Sequence, residues 1–183
     1  MVEIETDRLH LRPFAATDVE ALHRLWNDPE MRRFLWDDTA VTREQTAAQI
    51  ELSRASFSDH GYGSWLLFAR AHPTVVGFSG LRRFGEPPEV EVLYGIDSLQ
   101  WGFGLATEAA AAVLRYAFET LALERVLAGA DAPNAASFRV MEKLGMRFLR
   151  RVSEGDSEVA YYVVSRSAFR IPEGWYRATK LTS

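Results

Sequence analysis

The chain has 183 residues, 48% hydrophobic and 12% aromatic, which suffices for one domain with a sizeable buried core. Its 21 Lys and Arg against 25 Asp and Glu leave a formal charge of -4, so no overall positive field draws it to phosphate backbones, and nucleic-acid binding by bulk charge is ruled out. The absence of cysteine excludes a disulfide framework, a thiolate zinc site and a cysteine nucleophile.

In chain order, residues 8–14 read as a short strand with Leu9 and Leu11 on one face and His10 and Arg12 on the other, closed by Pro13. Thr17 with Glu20 forms the pattern of a capping box for a helix carrying Val19, Leu22, Leu25 and Trp26. A second such pattern, Thr42 with Gln45, opens a helix to about Phe57 that Gly61 and Gly63 stop. Strands over 64–70, 75–84 and 90–96 follow, with prolines in the turns between them, as an antiparallel meander.

Residues 104–121 place Leu105, Ala109, Ala112, Val113, Tyr116 and Ala117 on one helical face, rich enough in alanine to lie close against a sheet. A strand at 125–130, a helix at 134–144 ended by Gly145, and two strands at 146–152 and 159–164 around the polar turn 153–157 complete a mixed α/β domain. Residues 1–170 are expected to form that single domain. The tail, 171–183, carries Trp175 and Tyr176 without a clear period, and docks or stays loose. No stretch reaches the roughly 18 apolar residues of a membrane span, and 1–13 has no apolar leader core, so a soluble, cytoplasmic protein without a membrane partner is expected.

Trp101-Gly102-Phe103-Gly104-Leu105-Ala106-Thr107-Glu108 joins a strand to a helix start through two glycines two apart. Unpaired amides at a helix N-terminus attract anions, and glycine admits a phosphate close to the backbone; a tight turn is the alternative. The third glycine of a dinucleotide fingerprint is missing, and no Lys-Ser/Thr pair marks a P-loop.

That loop, together with Glu91-Val92-Leu93-Tyr94-Gly95-Ile96 before it and Asn134-Ala135-Ala136-Ser137 running into Glu142-Lys143-Leu144-Gly145-Met146 after it, resembles the GNAT-superfamily N-acetyltransferases. The opening Thr6-Asp7-Arg8-Leu9-His10-Leu11-Arg12-Pro13 and Trp26-Asn27-Asp28-Pro29-Glu30 resemble the branch that includes the ribosomal-protein alanine N-acetyltransferases, so the likeness spans roughly residues 4 to 166. It implies a mostly antiparallel twisted sheet, splayed at the cofactor site, with helices on both faces. It also implies acetyl-coenzyme A as donor and a primary amine, on a small molecule or a protein N-terminus, as acceptor. The pyrophosphate would lie on the amides of Trp101, Gly102, Phe103, Gly104, Leu105, Ala106 and Thr107. The pantetheine would run along Leu93, Tyr94, Gly95 and Ile96, with Asn134 and Ser137 as further cofactor contacts. A homodimer stays open.

The chain departs from the wider family where Trp101 replaces the usual Arg or Gln and where Met141 occupies the position of a tyrosine that protonates the departing thiolate. Methionine donates no proton, so Ser137 becomes the candidate acid. Acyl transfer to an amine also needs a base and an oxyanion donor. Glu89 and Glu91, two apart on a strand, share a face opposite Val90, Val92 and Tyr94, and Glu91 matches the family's glutamate; solvating an edge is the alternative. Asp156 and Glu158 are weaker base candidates, and an amide near Tyr94 is the implied oxyanion donor. Asn134 reads equally as a helix cap, and Ser137 as an ordinary first-turn residue. The four histidines lack ligand spacing, and no metal is assigned. Phe34, Leu35 and Trp36 fall in the segment that walls the acceptor side in the family. A catalytically silent acyl-coenzyme A sensor or interaction module on the same scaffold is the alternative function, motivated by Met141.

Overall fold

The computed structural model describes residues 1–154, 157–170 and 173–181. Nine strands form one sheet: β1 (Val2–Thr6), β2 (Leu9–Pro13), β3 (Ser64–Ala69), β4 (Val75–Phe84), β5 (Glu89–Ile96), β6 (Arg125–Asp131), β7 (Arg147–Glu154), β8 (Ser157–Ser165) and β9 (Tyr176–Lys180). Their spatial order is β7-β8-β6-β5-β4-β3-β2-β1-β9. Every neighbouring pair is antiparallel except β5 with β6, as a mixed sheet with one helical crossover requires. The helices are α1 (Val19–Trp26), α2 (Pro29–Arg32), α3 (Arg43–His60), α4 (Leu105–Glu119) and α5 (Ala135–Lys143).

The meander and both C-terminal strands form where the alternation of apolar and polar residues places them. In α4, Ala109, Ala110, Ala111, Ala112 and Ala117 are all buried together with Leu105, Val113, Leu114, Tyr116 and Phe118. Small side chains bring the helix close to β5 and β4 and let it bury more than one face. Around it gathers the larger apolar cluster, which takes Val92 of β5, Val126 of β6 and Met141 of α5. A second cluster lies between α1, α2 and α3 and the strands, with Trp26, Met31, Phe78 and Leu93 among its members. Val92 and Leu93 thus serve opposite faces, as the period of two requires, and Glu91 lies on the face of Leu93.

The Thr42–Gln45 capping box forms, with Gln45 N donating to Thr42 Oγ1 at 3.2 Å and Thr42 N donating to Gln45 Oε1 at 2.7 Å. The expected Thr17–Glu20 box does not. Residues 16–18 make a 3-10 turn, and buried Asp18 holds it by accepting from Ala15 N and from Arg12 Nη2, both at 2.7 Å. Glu20 is paired across the surface with Arg43 instead. Asp18 wins because its carboxylate gains a guanidinium as well as a backbone amide.

Two strands are absent from the sequence expectation. β1 precedes the first expected strand and pairs with β2. The tail supplies β9, which pairs along the whole of β1 from Val2↔Lys180 to Thr6↔Tyr176. Its docking residue is Tyr176, whose ring packs on the larger cluster under the Arg115 guanidinium, 4.4 Å from the ring centre.

Candidate active site

β5 and β6 are in register at Glu91↔Leu127 and part beyond that point. A parallel pair held at one end and wedged at the other leaves the edge of the remaining β5 residues open. The gap opens into a cleft of about 1010 Å³ that α4 meets at its N-terminus and α5 at its first turns. Leu93, Tyr94, Gly95, Ile96, Trp101, Gly102, Gly104, Leu105, Ala106, Thr107, Asn134, Ser137 and Glu91 all line it. Of the cofactor contacts that the resemblance implies, Phe103 alone does not, and it is 65% exposed.

The loop before α4 combines a left-handed glycine turn with an open helix N-terminus, features that suit an anion. Gly102 and Gly104 have φ of +85° and +77°, a left-handed conformation costly for any residue with a Cβ. A Cβ on Gly102 would meet nothing within 4 Å, so this part of the loop is clear. The helix behind it presents unpaired amides from Leu105 onward. Trp101 Nε1 donates to Ile96 O at 2.7 Å, tying the loop to the end of β5. Trp101 therefore braces the loop through its ring nitrogen.

Sequence reasoning missed Arg8. Its Nη1 donates to Phe103 O at 2.7 Å, and its Nε and backbone N donate to the two Glu108 carboxylate oxygens at 2.5 and 3.0 Å. Thr6 Oγ1 also donates to Glu108, at 2.7 Å. Glu108 sits in the first turn of α4, where an uncompensated carboxylate would repel a bound phosphate. Arg8 cancels that charge and holds the Phe103 carbonyl on the outer side of the loop. Nothing local in the sequence signals this clamp, because Arg8 and Glu108 lie 100 residues apart.

At the other side of the cleft, Asn134 caps α5, its Oδ1 accepting from Ser137 N at 3.0 Å. Tyr94 Oη donates to Ser137 O at 3.2 Å and pins that turn to β5. Burial pushes the Tyr94 hydroxyl well above the usual tyrosine range, against the pull of the Ser137 bond and with the Glu91 charge adding to it, so it stays a donor. Met141 is fully buried in the core and outside the cleft lining.

The carboxylates divide. Glu91 is 4% exposed and lines the cleft, and Arg82 Nη2 and Nε approach its Oε2 at 3.2 and 3.3 Å. Glu89 is paired with Arg125. Glu158 pairs with Arg151 at 3.1 Å and is outside the cleft, which removes it as a base candidate; Asp156 lies outside the described residues. Among the described residues, no three His, Asp or Glu side chains converge as a metal site.

Residues 8–147 match the acetyltransferase (GNAT) domain family. The chain belongs to the GNAT acetyltransferase family. Curated relatives include the uncharacterised N-acetyltransferase YoaA of Bacillus subtilis, 28% identical over 145 residues that cover 79% of this chain and 82% of YoaA. The uncharacterised protein YkkB of the same organism is 26% identical over 163 residues, 87% of this chain and 94% of YkkB. Among solved structures, a GNAT-family acetyltransferase from Bacillus anthracis superposes with a TM-score of 0.75 at 24% identity, covering 90% of this chain and 99% of its own. The RimL ribosomal L7/L12 alpha-N-protein acetyltransferase, solved with coenzyme A, gives 0.73 at 18% identity, covering 88% and 98%. This acetyltransferase is thus an acyltransferase of the acetyl-coenzyme A-dependent kind, on the mixed α/β fold that its motifs imply. No helix among its described residues is long and apolar enough to cross a membrane.

Proposed function

We propose that the protein transfers the acetyl group of acetyl-coenzyme A directly to a primary amine, on a small molecule or a protein N-terminus, in the cytoplasm. The observation that carries this reading is the parting of β5 and β6 beside the left-handed glycine loop of α4, with a buried glutamate on the same cleft. Pyrophosphate would rest on the amides of 101–107, and pantetheine would run along Leu93–Ile96 as a substitute strand where β5 has lost β6. Asn134 spends its Oδ1 on Ser137 and keeps its Nδ2 for the pantetheine.

In the transfer, the amine nitrogen attacks the thioester carbonyl carbon and the oxyanion that forms is met by a backbone amide near Tyr94. Glu91, directly or through a water it orients, accepts the proton that the amine must lose. The carbon–sulfur bond then breaks, and the thiolate takes the Ser137 hydroxyl proton as that hydroxyl takes one from a solvent water, so the serine relays a proton and ends unchanged. Tyr94, whose hydroxyl is spent on the Ser137 carbonyl, holds the Ser137 turn in place.

Thiol release from acetyl-coenzyme A over a panel of amines tests the reading. Amine-dependent release is expected, with Glu91→Gln slower and its alkaline-rising limb displaced. Binding of coenzyme A without release by any amine would favour the silent sensor.

A further inference from the structure

Beyond the donor site, the cleft continues between α1, α2 and β4, where polar residues of α3 such as Gln49 and Ser53 share the space with a wall that carries four aromatic rings. Trp26 lies at its centre, with ring centres 6.2 Å from Phe14, 5.9 Å from Phe78 and 5.6 Å from Trp36. Phe14, Trp26 and Phe78 are buried, and Trp36 is 39% exposed at the rim. All four line the cleft, as does Met31.

The wall abuts the place where the acetyl group is expected. A Cβ built on Gly95 would come within 2.5 Å of the Phe78 ring and 2.8 Å of the Met31 methyl, so only glycine lets β5 lie this close to them. Gly95, Leu93 and Glu91 alternate onto the same strand face. An amine reaching a thioester laid along Leu93–Ile96 therefore has its nitrogen toward Glu91 and its substituent against the rings. Glu91 and the exposed Glu30 and Asp59 line the same cleft, with Arg82 and Arg83 near Glu91.

One polar atom inside the wall is unsatisfied. Trp26 is 4% exposed, yet its Nε1 has no hydrogen-bond partner among the described residues. A buried donor left unpaired is costly; the atom is closed off in the structure as it stands, and an oxygen carried by the acceptor would relieve it once the rings part to admit it.

Resting on the acetyl-transfer reading, we infer that the acceptor is the primary amine of an α-amino acid derivative with a large apolar side chain. The side chain would pack on Phe14, Trp26, Trp36 and Phe78, and the carbonyl beside the amine would take the Trp26 N–H. Polyamines and amino sugars fit poorly, since their extra ammonium or hydroxyl groups would lose water against rings that return a single N–H and no acceptor. A free amino-acid amide and the N-terminus of a peptide share this chemistry.

The test compares kcat/KM from thiol release for phenylalaninamide, phenethylamine, glycinamide, a Phe-initiated tripeptide, spermidine and glucosamine. Phenylalaninamide is expected to exceed glycinamide by about tenfold or more, the effect of burying an aromatic side chain, and to exceed phenethylamine, which lacks the oxygen. The tripeptide matching or exceeding the amide identifies a peptide terminus as the source; a weaker tripeptide identifies the free amino-acid derivative. Trp36→Ala, at the exposed rim, reduces the phenylalaninamide-to-glycinamide ratio at least threefold. Trp26→Phe narrows the gap between phenylalaninamide and phenethylamine. Glycinamide, spermidine or glucosamine matching phenylalaninamide overturns the inference, as does release by none of the apolar amines. Titration with acetyl-coenzyme A separates the two failures: binding retained leaves the donor site standing, and no binding removes the acetyl-transfer reading itself.

Discussion

Arg8 offsets the carboxylate behind the loop that is proposed to hold the pyrophosphate. The Arg8 side chain is half exposed, so its pairing with Glu108 contributes little stability by itself. Its consequence is local: with Arg8 gone, Glu108 at 18% exposure faces the proposed pyrophosphate uncompensated. A unit charge about 8 Å away in a half-solvated setting is worth about 1 kcal/mol. Arg8→Ala is therefore expected to weaken coenzyme A roughly fivefold, more at low salt, and Arg8→Ala with Glu108→Gln to recover most of the loss; titration calorimetry of the three proteins checks both. A double variant as weak as the single one would mean that Arg8 acts through the Phe103 carbonyl instead. For Ser137→Ala, turnover is expected to fall about a hundredfold with coenzyme A affinity held within a few fold, since an acid for the leaving group acts in the transition state. Full turnover at saturating substrate would leave Ser137 a helix residue only. Glycine identity made Gly102 and Gly104 legible in advance, because a left-handed φ leaves a compositional trace. Arg8 left none, because its partners are far away in sequence.

Elements were legible where one side of them is dry. The alanines of α4, the apolar runs of β3 to β5 between their proline turns and the Thr42–Gln45 box each follow from local pattern, and each forms. β9 shows no such pattern: from Tyr176 on, four of its five residues are exposed, so nothing in their polarity announces a strand. It is held by the ladder to β1 and by Tyr176 alone among its side chains in the core cluster. The Tyr176 hydroxyl is buried without a partner among the described residues. Tyr176→Phe is thus expected to leave stability unchanged or raise it slightly, whereas Tyr176→Ala should lower it by about 1–3 kcal/mol, read from denaturant midpoints. An unchanged midpoint for Tyr176→Ala would mean that the ladder alone holds the tail. The failed Thr17–Glu20 box has the opposite origin. The local pattern was present, and a better partner for the turn, Asp18 with Arg12, displaced it.

Across the whole molecule, the sheet, the gap between β5 and β6 and the two helix N-terminal turns form one arrangement. A long antiparallel sheet gives rigidity, the single parallel pair gives a place for strands to part, and α4 and α5 point their first turns at the opening. Family membership follows from the match over residues 8–147, and on that frame lie the ring wall beside Gly95 and the Arg8 clamp behind the loop. The central claim, that the donor occupies this gap, is tested most directly by hydrogen–deuterium exchange with and without coenzyme A. Slower exchange is predicted at 93–96, 101–108 and 134–137, the segments that meet at the cleft, with the distant pair β1 and β9 unaffected. Unchanged exchange in those three segments at saturating coenzyme A, or protection confined to another part of the sheet, would contradict it.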